Sequence, residues 1–129
     1  MLGAAPPGRL EVDLSGLRNG KGDVLVCVTR FPDHFPDCTD DPEARTAKAP
    51  AASAGPIAFL ALPSGNYAVA VIHDENRNAK LDTIARIPRE GFGFSRNPAI
   101  RFGPPSFDQA RFPVATGDVR QDVRMRYIL

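Results

Sequence analysis

Asn66-Tyr67-Ala68-Val69-Ala70-Val71-Ile72-His73-Asp74 is the stretch that decides the fold. Tyr67, Val69, Val71 and His73 fall on one face of an extended chain, and Ala68, Ala70 and Ile72 fall on the other. A period of two with β-branched and aromatic residues predicts a strand, and apolar residues on both faces predict that it lies centrally in a sheet. Upstream, Asp23 to Arg30 reads the same way, with Val24, Val26 and Val28 against Leu25, Cys27 and Thr29. Between these two strands, residues 56–63 read as a third, ending in the turn signal Pro63-Ser64-Gly65.

Further out, Leu10, Val12 and Leu14 alternate with Glu11 and Asp13, which predicts a strand with one wet face. Residues 17–22 follow as a turn in which Asn19-Gly20 is expected to take positive φ. At the other end, Val119, Val123, Met125 and Tyr127 are expected to face in, with Arg120, Asp122, Arg124 and Arg126 facing out. Residues 111–115 read as a short strand, residues 83–108 as irregular with at most a strand near 99–102, and residues 31–56 as a long loop. The run 42–49 is expected to make one helical turn at most, since nothing shows a sustained helical period with caps. Six or seven strands between turn signals predict an all-β fold, a single antiparallel sandwich of about seven strands.

Composition sets outer limits. The 129 residues fit one domain, read as residues 9–129 behind an N-terminal tail of residues 1–8. Residues 1–8 lack the basic start and apolar core of a signal peptide and read as the beginning of a mature chain near an A-x-A cleavage site. A formal net charge of +1 gives no reason to expect nucleic acid or an anionic membrane as partner. No stretch approaches the ~20 apolar residues of a membrane-spanning helix. Cys27 and Cys38 are expected to pair, which closes a short loop and implies an oxidising compartment, the periplasm or the exterior. Their spacing is not that of a redox motif, and with His34 they would still lack a fourth zinc ligand.

The segment from Asp74 to Asp82 carries the clearest chemical signal. Asp74, Asn76 and Asn78 fall at alternate positions, Lys80 offers a backbone carbonyl, and Asp82 falls ninth. Hard cations such as Ca²⁺ take six to eight oxygens, and a tight loop with an oxygen at every second residue delivers them. The opening follows the D-x-[DN]-x-[DN] half of an EF-hand loop. Ala79 stands where that loop wants Gly and Ala85 where it wants Glu, so this is not an EF-hand. The same Asp and Asn residues also suit a self-capped turn with no metal, and both readings stand at this point. His73, Asp74 and Glu90 are the candidates for a hydrolase or lyase acting on carbohydrate or peptide. Phe92 and Phe94 alternate with Gly91 and Gly93; exposed, they offer a surface to a protein or glycan, and buried, they pack with Phe102, Phe107 and Phe112. No catalytic motif surrounds Ser64, Ser95 or Ser106.

The string from Leu62 to Thr83, followed by Ile87 to Pro98 and Gly103 to Phe112, resembles the bacterial secreted proteins grouped as domain of unknown function 2141. The resemblance covers nearly the whole chain and rests on HDEN-x-N-x-K-L-D, EGFGFS and PPSF-x-x-A. It implies a β-sandwich carried behind a signal peptide and assigns no activity. The family usually has Gly where this chain has Ala79. The L-P-x-G-x-Y element from Leu62 to Tyr67 is also similar to transthyretin-like and carboxypeptidase-regulatory-like sandwiches, where it opens a hairpin strand.

Overall fold

The structure, a computed structural model, describes residues 7–77, 83–84, 87–88, 90–100 and 103–128. Two sheets pack face to face. The smaller holds β1 (Gly8–Ser15) between β4 (Ile57–Leu62) and β10 (Gly117–Arg124). The larger runs β3 (Arg45–Pro50), β2 (Asp23–Thr29), β5 (Gly65–Asp74), β8 (Gly91–Phe94), and β9 (Phe112–Val114) pairs with β5 beside β8. A two-stranded hairpin, β6 (Thr83–Ile84) with β7 (Ile87–Pro88), stands apart from both.

The alternation read along β5 is realised on both faces. Tyr67, Val69 and Val71 join Leu10, Val12, Val24, Val26, Val28, Val123 and Met125 between the sheets. Ala68 and Ala70 point the other way, into a second cluster with Cys27, Cys38, Phe92, Phe94, Phe107 and Ala110. Burying both faces of the larger sheet needs a further covering layer. The loop after β2 supplies it, with Phe35 edge-on to Phe94 and Phe107 at 5.9 and 6.1 Å between ring centres.

Several expectations are corrected. β1 pairs in parallel with β10, so the sandwich is not wholly antiparallel. The run 42–49 is not a helical turn; residues 45–50 form β3, whose side chains alternate between half-buried and exposed. An edge strand needs hydrogen bonds on one side only, and β2 provides them from Asp23↔Pro50 to Val28↔Arg45. An α-helical turn, α1 (Phe107–Ala110), begins at the end of the stretch read as irregular, where Ser106 and Gln109 cap each other reciprocally. Positive φ occurs not at Asn19-Gly20 but at Gly16 and Gly22. A Cβ on Gly22 would lie 2.0 Å from the Asp74 carbonyl oxygen, so this glycine permits the close approach of the 16–22 turn to the end of β5.

The EGFGF stretch is also a strand, not a loop. Phe92 and Phe94 face the second cluster, and the glycines face the C-terminal segment. A Cβ on Gly91 would meet the Tyr127 ring at 2.3 Å, and one on Gly93 would meet Val123 at 2.7 Å. The alternation of large and absent side chains lets β8 lie against that segment, where Phe92 and Arg126 exchange backbone hydrogen bonds of 3.0 and 2.8 Å.

Candidate functional site

Antiparallel register gathers buried acids at one end of the larger sheet. Asp23, the first residue of β2, pairs with Asp74, the last of β5. Gly91 pairs with His73, so Glu90 stands just outside β8 beside Asp74. Asp23, Asp74 and Glu90 are 5%, 1% and 5% exposed, so three adjacent chain segments present a row of buried carboxylates. Like charges opposed across a ladder are unfavourable without compensation. Asp23 has it from Arg77, with Nε at 3.3 Å, and from Lys48, with Nζ at 3.8 Å. Glu90 Oε2 accepts backbone N–H bonds from Glu75 at 2.7 Å and Asn76 at 3.4 Å, which ties down the first turn after β5. Arg77, with φ of 56°, closes that turn by donating its N–H to the Asp74 carbonyl at 3.3 Å.

His73 lies fully buried beside this row. Its Nε2 is 2.7 Å from the Lys21 carbonyl oxygen, which can only accept, so Nε2 is assigned the proton. Nδ1 then accepts from the Tyr127 hydroxyl at 2.7 Å, and that hydroxyl accepts the Arg18 backbone N–H at 3.2 Å. The Arg18 guanidinium covers the Tyr127 ring at 4.5 Å and pairs with Glu75 at 2.6 Å. Burial pushes the Tyr127 phenol above its ordinary range, against the opposing pull of Arg18. Burial also pushes the Glu75 carboxyl up, but hydrogen bonds from Arg18 and Asn19 and the Arg18 charge outweigh it and hold Glu75 below the usual range.

The expected site residues therefore divide. His73, Asp74 and Glu90 are brought to one place, yet at 0–5% exposure and not in an open pocket. Phe92 and Phe94, at 6% and 7% exposure, belong to the second core cluster with Phe107, the buried one of the two arrangements and not the exposed ligand or partner surface, while Phe112 joins the first cluster. Of the expected metal donors, Asp74 and Asn76 lie on the described turn; Asn78, Lys80 and Asp82 lie outside the described residues, as does Phe102. The described donors are oxygen ligands, the chemistry a hard cation takes. Among the described residues no three of His, Cys, Asp and Glu converge closely enough to hold a metal. The carboxylate row is spread across the sheet, at the spacing of neighbouring strands, rather than gathered on a point.

Sequence reasoning passed over Asp23, Arg18 and the hydroxyl of Tyr127. Asp23 had a legible signal: it opens an otherwise apolar strand, and the antiparallel partner of that strand ends in Asp74.

At the opposite end of the sheet, Cys27 and Cys38 form the expected disulfide, with Cα atoms 5.8 Å apart. The bridge pins the loop after β2 onto the second cluster. Asp41 adds two side-chain bonds there, from the Thr29 hydroxyl at 2.5 Å and the Glu43 N–H at 2.9 Å.

Fold and site together define a disulfide-bonded β-sandwich with a buried acidic row beside the turn that follows β5. Residues 12–122 match the family described as uncharacterized protein conserved in bacteria (DUF2141), and the chain belongs to that family. Neither the curated proteins nor the solved structures contain a match to it.

Proposed function

We propose that this chain is a binding or structural module of the periplasm or cell exterior, that it does not act as a hydrolase, and that its 74–82 loop takes Ca²⁺. The observation that carries the first part is the burial and internal bonding of the candidate catalytic groups. A general base must reach a substrate proton within ~3 Å or through one water. His73 has both ring nitrogens bonded inside the protein, and Glu90 spends an oxygen on two backbone amides. The disulfide fits an oxidising compartment. Among the described residues no helix is long and apolar enough to cross a membrane.

The calcium part rests on the alternate oxygen donors in the sequence of the loop and on the acidic row beside its described first turn. Asp74 would bind directly and Asn76 through its amide oxygen; Asn78, the Lys80 carbonyl and Asp82 would complete the set. Bound Ca²⁺ would supply positive charge beside the buried carboxylates of Asp23 and Glu90.

Thermal melting of the oxidised protein in EDTA and in millimolar Ca²⁺ or Mg²⁺ tests this reading. Ca²⁺ at ~100 times its dissociation constant adds about 2.7 kcal/mol, which raises the midpoint by several degrees. Asp82→Ala is expected to abolish the Ca²⁺ response. A parent protein that melts identically in EDTA and Ca²⁺ sinks the calcium part and leaves the loop as a self-bonded turn.

A further inference from the structure

A groove of about 240 Å³ opens at the disulfide end of the sandwich, far along the sheet from the acidic row. Its lining includes Arg30, Glu43, Arg45, Leu62, Pro63 and Tyr67. Two guanidiniums against one carboxylate leave it a formal charge of +1. Arg30 Nη2 lies 2.5 Å from Glu43 Oε1. Arg45 donates to the carbonyls of Leu60 and Ala61 at 2.9 and 3.1 Å, and the Tyr67 hydroxyl donates to the Pro63 carbonyl at 2.7 Å. The charges of Arg30, Arg45 and Glu43 all bear on the Tyr67 phenol.

The walls are held in place before any ligand arrives. One wall is the loop fixed by the Cys27–Cys38 bridge and by Asp41. The other is the end of β4, where two residues of that strand face Arg9 alone and Ala61 takes a φ of 58°. A left-handed alanine is strained, and such strain persists where surrounding structure holds it. Arg45 holds it here.

The groove is smaller than the ~300–1,000 Å³ of a typical small-molecule pocket, so it suits a chain end better than a whole ligand. It opens between two outer strands, β3 of one sheet and β4 of the other. Leu60, 60% exposed, stands on β4 beside it. A monoanionic chain end with extended backbone behind it answers each feature: charge to the guanidiniums, backbone to the strand edges, a side chain to Leu60.

We propose that this groove receives the C-terminal carboxylate of a peptide, with Arg30 as the principal contact and the preceding residues extended between β3 and β4. Arg30 can turn from Glu43 to the ligand because that pair is partly exposed, at 32% and 49% for the two side chains. This inference does not depend on the calcium loop, and its test is run in EDTA.

The oxidised protein would be titrated with acetyl-Ala-Leu-Ala, its C-terminal amide and glucuronate, following amide NMR shifts. The free-acid peptide is expected to shift Glu43, Arg45 and Tyr67 saturably, and the amide to bind at least about tenfold more weakly, since charge-assisted bonds are lost. Arg30→Gln is expected to weaken the free acid about tenfold or more with little change in melting temperature, because exposed ion pairs contribute little to stability. Equal binding of acid and amide, or no response at these residues, overturns the proposal. Arg30-dependent binding of glucuronate without binding of the peptide also overturns it, in favour of an acidic glycan. The acid–amide comparison on the parent protein decides the matter even if the variant fails to fold.

Discussion

The two ends of the larger sheet are held by opposite means. At the end carrying Arg30 and Arg45, a covalent bridge and a carboxylate with two donors fix a long loop against an aromatic cluster. At the end carrying His73, a short turn is fixed by a buried carboxylate gripping backbone amides, above a row of like charges. The bridge in the first arrangement acts largely through chain entropy and is indifferent to salt and pH, while the Asp41 carboxylate beside it, held low by its hydrogen bonds, gives way only in acid. The second depends on charge, so its contribution changes as Glu75 is protonated and with any cation brought to it. A fold can thus carry one end held mainly by a covalent bond and another held mainly by charge.

The largest expected effect comes from removing the bridge. Closing an eleven-residue separation is worth about 3 kcal/mol in the chain-entropy model, and Cys27→Ala with Cys38→Ala should lose about that much in urea unfolding. Hydrogen exchange should quicken at Cys38→Ala and Glu43 while Glu75 and Asn76 stay protected. If both ends loosen together, the division between them is wrong.

A smaller effect is expected at the acidic end. Glu90→Ala strands the Glu75 and Asn76 amides and should cost about 2 kcal/mol. Amide exchange should then rise in the 74–77 turn and not around Asp41. Unchanged exchange at Glu75 would show that the carboxylate does not hold the turn.

The smallest effect is a pH dependence. The Glu75 carboxyl is held low by Arg18 and Asn19, despite burial that pushes it up. A carboxyl lowered on folding contributes stability above its unfolded value of about 4.3, and that contribution is lost as pH falls through the folded value. The parent should therefore lose stability below about pH 4 more steeply than Glu75→Gln. Parallel melting-temperature profiles for the two proteins between pH 5 and about pH 2.5 would refute this.

Much of the architecture was legible because side-chain alternation records burial directly. The faces of β2 and β5 divide as their residues predict: Val24, Val26 and Val28 in one cluster, Cys27 in the other. β3 was illegible because Thr46 and Lys48 face solvent and its interior-facing residues, Ala47 and Ala49, are small, so no hydrophobic period appears. The parallel pairing of β1 with β10 leaves no local mark, since the partners lie more than a hundred residues apart. At the acidic end, His73, Asp74 and Glu90 were readable one by one as polar residues near strand ends. The bonds that occupy His73 and Glu90 were not, because Tyr127, Lys21 and Glu75 reach them from other segments. The groove was invisible for the same reason: its two arginines come from different segments and meet only in the fold.

The register of β1 on β10, from Gly8↔Gly117 to Ser15↔Arg124, also sets how the molecule bears load. Tension drawn outward through the start of β1 and the end of β10 pulls these parallel strands past each other lengthwise. Their evenly spaced hydrogen bonds are then strained together rather than opened one after another. A module tethered at both ends would meet stretching with its whole first ladder at once.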